Sequence, residues 1–141
     1  RAAVWTVLTD PRWRQRWMGV ERVDYKPGAR HTLVGSEYHC IHGSGQTSVF
    51  RVAEALEPER VTIAFPIMGV LVWWTTQLGA ADGGRTRIVS RLRIDAPGDI
   101  GGKVRALAVR QIMKGYSTKY AKRIAEEAEA LAKGVVMQPA G

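Results

Sequence analysis

The chain has 141 residues, 45% of them hydrophobic and 24% charged, an ordinary globular composition with room for one domain and one core. Its single cysteine, Cys40, excludes an internal disulfide framework and a multi-thiolate zinc site. No apolar run approaches the roughly 20 residues of a membrane-spanning helix, and the net charge of +8 brings anionic partners into consideration without identifying one.

In chain order, Ala2, Val4, Trp5 and Leu8 follow helical spacing, and this helix stops at Asp10-Pro11 because proline disfavours helix in the residue before it. Residues 12–18 predict a second short helix with Trp13 and Trp17 on one face, ended by Gly19. Strands are predicted next over 20–25, over 31–42 (from His31 to His42, broken by Gly35), and over 46–56. Residues 60–65 alternate, with Val61, Ile63 and Phe65 on one face. A fifth strand covers 70–78, and Asp82-Gly83-Gly84 signals a hairpin into a sixth over 85–94. In that last strand Thr86, Ile88, Ser90, Leu92 and Ile94 share one face, while Arg85, Arg87, Arg91 and Arg93 share the other.

Pro97-Gly98-Asp99 breaks the pattern, and Asp99 suits an N-cap. From 100 to 133 no proline occurs, and Ile100, Val104, Leu107, Ala108, Ile112, Met113, Tyr116, Tyr120, Ile124, Ala128 and Leu131 recur at three and four. Such a helix is roughly 50 Å long at 1.5 Å per residue, enough to cross a whole sheet. There is no internal repeat and no linker. The expected organisation is one domain over 1–133, with 134–141 a disordered tail.

Two short helices, a run of hairpin-linked strands and one long amphipathic helix make an α+β domain with segregated elements. The stretches AAVWTVLTDPRWRQRW, GVERVDY, ALEPERVTIAF and QLGAADGGRTRI, with the terminal helix, resemble the START-related (SRPBCC) superfamily, which includes polyketide cyclases and the birch pollen allergen. The resemblance covers nearly the whole chain. It implies a helix-grip fold, a curved antiparallel sheet wrapped around the long C-terminal helix with an apolar hollow between them. It also implies a strand ahead of the first helix. Arg1 opens directly on that helix, so the first strand is apparently missing, which leaves an unpaired sheet edge. A homodimer or fusion to an upstream domain is considered for the same reason. The segment GSEYHCIHG is similar to one in superfamily domains fused to nucleotide cyclases.

Residues 38–43 are the most reactive-looking stretch. On a strand Tyr38, Cys40 and His42 point one way, and Glu37, His39 and Ile41 the other. A thiol between Tyr and His suits a nucleophile, and His39 with Glu37 a metal, but each lacks a third partner from another element. Cys40 is therefore expected to pack as a small hydrophobe, with no metal and no cofactor. Tyr38, His42 and Glu54 are the candidates for acid–base chemistry, an outward side chain being expected of Glu54. The expected lining of the hollow is Tyr38, Cys40 and His42; Val72, Trp74 and Thr76; Ile88, Ser90 and Leu92; and Val104, Leu107, Ala108, Ile112 and Tyr116. Trp73, next to Trp74, must then face outward.

The arginine row, with Arg12, Arg14, Arg16 and Arg22 if near, is expected to be a solvated face. Motifs for reading nucleic acid are absent, and so are nucleotide-binding glycine loops, H-E-x-x-H and G-x-S-x-G. The expected function is to bind a hydrophobic or amphipathic small molecule, such as a lipid, polyketide or aromatic metabolite, in an internal cavity. The lone cysteine points to a cytoplasmic setting. Two alternatives stay open: a cyclase/dehydratase-type enzyme, and a regulatory or interaction domain of a longer protein. All three rest on 100–133 lying along the concave side of the sheet without filling it.

Overall fold

In the computed structural model, which describes residues 1–29 and 32–134, Asp10 separates two short helices, α1 (Ala2–Thr9) and α2 (Pro11–Met18). The Asp10 carboxylate accepts the Arg12 N–H at 2.9 Å and Pro11 opens α2, the arrangement that satisfies free helix-start donors and uses proline where no N–H is needed. Gly19 ends α2 in the left-handed conformation (φ 68°).

Six antiparallel strands follow in sequence order across one curved sheet: β1 (Arg22–Tyr25), β2 (Glu37–Ile41), β3 (Thr47–Leu56), β4 (Arg60–Ile67), β5 (Val70–Ala80) and β6 (Thr86–Asp95). Helix α3 (Ile100–Ala132) then packs against α1, α2, β5 and β6. The predicted faces hold in register. Val70, Val72, Trp74, Thr76 and Leu78 are all buried, and Trp74, Thr76 and Leu78 stand opposite Leu92, Ser90 and Ile88. Trp73 lies on the outer face, its indole N–H donating to Asp95 at 2.9 Å and its ring under the Arg93 guanidinium. Arg85, Arg87, Arg91 and Arg93 are all exposed.

Three expectations need correction. The second strand is only Glu37–Ile41; residues 32–36 turn instead, with Gly35 at φ 88° donating to the Val52 carbonyl. His31 and the expected tail over 135–141 lie outside the described residues. The stripe of α3 that packs inward is Gly102, Val109, Met113, Tyr120, Ile124 and Ala128. Hence Val104, Leu107, Ala108 and Ile112 face solvent along the first half of the helix, Leu107 with 65% of its surface exposed and Ile100 with 81%. The helix start is fixed by Asp99, which accepts the Gly102 N–H, and by close contact of Gly102 with the Pro97 carbonyl. That close approach leaves no room for a side chain at Gly102, on the buried side of the helix. Finally, Arg14 is not part of a solvated basic face: it is buried on the same side of α2 as Trp17 and Met18.

Candidate functional site

The concave side of the sheet is an aromatic surface. Tyr25, Tyr38, Phe50 and Phe65, one from each of β1 to β4, form a chain with ring centroids 5.5, 5.4 and 4.8 Å apart. Such spacing is typical of favourable ring pairs. A second group comes from β5 and the helices: Trp17 meets Tyr120 edge-on at 5.4 Å, and Tyr120 stacks on Trp74 at 5.8 Å and on Tyr116 at 5.4 Å. Trp74 is buried whereas Tyr116 is exposed. The stack therefore runs from the surface of α3 into the interior.

Arg14 joins the two groups. Its guanidinium lies 4.6 Å from the Tyr38 ring centroid and 5.3 Å from that of Trp17. One terminal nitrogen donates to the Tyr38 hydroxyl, and the other donates to the Leu8 carbonyl at 3.1 Å. Only 2% of Arg14 is exposed, and among the described residues no carboxylate forms an ion pair with it. A buried cation is costly unless paired and hydrogen-bonded; here two acceptors and two ring faces take the place of an anion.

Below the stack, Leu8, Arg14, Trp17, Val61, Ile63, Trp74 and Thr76 enclose a cleft of about 10 Å³, room for about one water molecule. The interior is thus close to filled, unlike the roomy hollow expected from the sequence. A wider and more open groove of about 460 Å³ lies at the corner of α1 and α2, edged by Trp5, Thr6, Thr9, Asp10, Pro11, Arg12, Thr32 and Glu57.

The residues expected to line the site separate into groups. Trp74 and Thr76 line the cleft, and Tyr38 reaches it through Arg14. Val72 and Cys40 are core residues, and Ile88, Ser90 and Leu92 are half-buried on the same sheet face. The Cys40 sulfur rests 4.0 Å from that of Met18, and burial pushes its thiol up to about 11, opposed in part by the Arg14 charge. His42 follows the end of β2 and shares a hydrogen bond with Ser48 at 3.0 Å. Glu54 is exposed and pairs with Arg60 at 2.5 Å. A bulge in β3 between Val52 and Glu54 puts Glu54 opposite Thr62 on the outer side of the sheet. Burial raises the Tyr38 phenol well above its ordinary value, so it stays protonated and is no general base. Glu37 is held below the usual carboxylate range by hydrogen bonds from His39 and Lys26. Among the described residues no three metal-ligating side chains gather.

Arg14, Leu8, Trp17, Val61 and Ile63, which line the cleft, were absent from the sequence-based lining. The signal for Arg14 was its spacing: 14, 17 and 18 follow the i, i+3, i+4 pattern of a buried helix face.

The sequence matches the family described as polyketide cyclase / dehydrase and lipid transport over residues 2–129. Among curated proteins no sequence matches it. Solved structures of similar fold include a protein from Rhodobacter sphaeroides, with TM-score 0.61 and 17% identity over 91% of this chain and 83% of that one. DynU16, from the dynemicin biosynthetic locus, aligns with TM-score 0.60 and 20% identity over 96% of this chain, which spans 43% of that chain. Ara h 8.0201 aligns with TM-score 0.55 and 18% identity over 89% of each chain. At these identities the likeness is one of fold.

Proposed function

Because the chain belongs to the polyketide cyclase / dehydrase and lipid transport family, we propose that it binds a hydrophobic or amphipathic small molecule between the concave face of the sheet and α3. The observation that carries this reading is the continuous ring stack Tyr116–Tyr120–Trp74, which leads from solvent to the cleft. Flat rings of this kind desolvate an aromatic or polyketide-like body at about 25 cal/mol per Å² buried.

The closed cleft admits no such body as it stands, so binding requires the first half of α3 to move away from the sheet. The helix is built unevenly in a way that favours this. Its second half is tied to α2 by Arg123, which donates to the Trp17 carbonyl at 3.2 Å, and by the Arg16–Glu127 pair at 3.3 Å. Between Ile100 and Tyr116 only Gly102, Val109 and Met113 are buried. Regions with few buried apolar contacts open at the lowest free-energy cost.

Holding a ligand is favoured over turning one over. Of the acid–base candidates, Glu54 is on the outer face, His42 is outside the cleft lining and Tyr38 is protonated against a cation. The test is a titration with Nile red, a neutral apolar dye, followed by fluorescence. Saturable binding is expected, weakened about tenfold or more in Tyr116→Ala, which removes the outermost ring of the stack; a tenfold loss is about 1.4 kcal/mol. No saturable binding, or equal binding by Tyr116→Ala, would reject the reading.

A further inference from the structure

Two buried N–H groups at the cleft lack an acceptor: Nε of Arg14 and Nε1 of Trp74. They belong to different elements, α2 and β5, and both residues line the same cleft. Each side chain is more than nine-tenths buried, at 2% and 4% exposure. Buried donors are nearly always paired in folded proteins, so two on residues that line one cleft mark a place for an acceptor. The donors are of the right kind for an anion. Arginine stays charged, its planar fork leaves Nε–H available after both terminal nitrogens are engaged, and indole donates but never accepts. No carboxylate among the described residues neutralises the guanidinium. The other lining groups are apolar except Thr76.

We propose that Arg14 and Trp74 form the polar end of the ligand site and receive an anionic oxygen, carboxylate or a comparable oxyanion, carried by an otherwise apolar molecule. This rests on the binding reading above and adds the chemical class of the ligand. The oxygen occupies the cleft, whose volume of about 10 Å³ suits one such atom. The apolar body lies along Tyr120 and Tyr116 once the first half of α3 has moved. In a site screened from water, a hydrogen bond from a charged donor to a charged acceptor discriminates strongly against a neutral one.

The test compares 2-naphthoate with its neutral isostere 2-naphthamide by calorimetry, on the wild-type chain and on Trp74→Phe, which keeps an aromatic ring in the stack while removing the donor along with the second ring; the acid-to-amide ratio, in which the shared loss of ring area cancels, is the readout. The acid is expected to bind roughly tenfold or more tightly than the amide, in keeping with a charge-assisted hydrogen bond, and Trp74→Phe is expected to bring that ratio several-fold closer to one. Equal affinities in the wild-type chain, or a ratio unchanged in Trp74→Phe, would mean that a water molecule suffices for these donors, and the inference falls while Nile red binding still stands. If neither the naphthalene compounds nor Nile red bind, the binding reading falls with it. The wild-type comparison decides the matter even if the variant fails to fold.

Discussion

Arg14 is tolerated in the interior because its charge is spread over the faces of Tyr38 and Trp17 and two of its donors reach oxygen atoms. The sequence suggested a solvated arginine among its neighbours Arg12 and Arg16, since residue type outweighed helical spacing. Cys40 was easier to read. A lone thiol between core positions packs as a small hydrophobe, and burial holds it protonated. This has a consequence at alkaline pH. The thiol rises from 9.0 to about 11 and the Tyr120 phenol from 10.0 to about 12, both mainly through burial. A group whose pKa is higher in the folded state contributes stability that is complete below its unfolded value and is lost as pH rises through the folded one. The melting temperature should therefore be level near neutrality and fall from about pH 9 upward. In Cys40→Ala the fall should begin nearer 10, the ordinary value of the phenol that Tyr120 buries. Thermal melts across this range, with a thiol-reactive disulfide as a second probe, check it; a level curve to pH 11, or a native thiol that reacts like a free one, would contradict it.

At the level of elements, the strands were legible apart from the start of β2, and α3 was only half so. Strand faces follow from a period of two, and the pairing of Thr76 with Ser90 and Trp74 with Leu92 preserves that alternation across the hairpin. The first half of α3 carries apolar residues on two sides. Val104 and Leu107 satisfy helical spacing as well as Val109 and Met113 do, so periodicity alone does not choose between them. One feature of the observed face that no hydrophobic pattern reports is the close approach of Gly102 to the backbone at Pro97, which excludes a side chain there. Two glycines in the helix should accordingly behave in opposite ways. Gly102→Ala forces a Cβ against the Pro97 carbonyl and should destabilise the protein by about 1–3 kcal/mol, with faster hydrogen exchange in the helix start. Gly115 has nothing within 4 Å of an added Cβ, and Gly115→Ala should stabilise by about 0.5–1 kcal/mol. Urea denaturation of both variants checks the pair, and equal shifts of the same sign would refute the assigned contact.

For the whole molecule, the order of elements was enough to indicate a sheet wrapped by a terminal helix, because hairpin-linked strands and one long amphipathic helix have few ways to share a core. The near-filled interior was not legible, since cavity volume depends on how Trp17, Trp74 and Tyr120 interlock, and no sequence period encodes that packing. The fold also leaves its charge unevenly placed. Between Ile100 and Ala125 the helix carries seven basic residues and no acidic one, and the outer face of β6 carries the arginine row. Anionic molecules therefore approach a surface of favourable potential, consistent with the class of ligand proposed for the Arg14 and Trp74 donors.

The indole N–H resonances of two neighbouring tryptophans supply the most direct measurement. Trp73 donates to Asp95 on the outer face, whereas Trp74 borders the cleft with its N–H unpartnered. In a nitrogen–proton NMR titration with 2-naphthamide, the Trp74 signal, identified by its loss in Trp74→Phe, should move saturably while that of Trp73 stays in place. A stationary Trp74 signal, or parallel drift of both without saturation, would contradict a ligand seated between the sheet and α3.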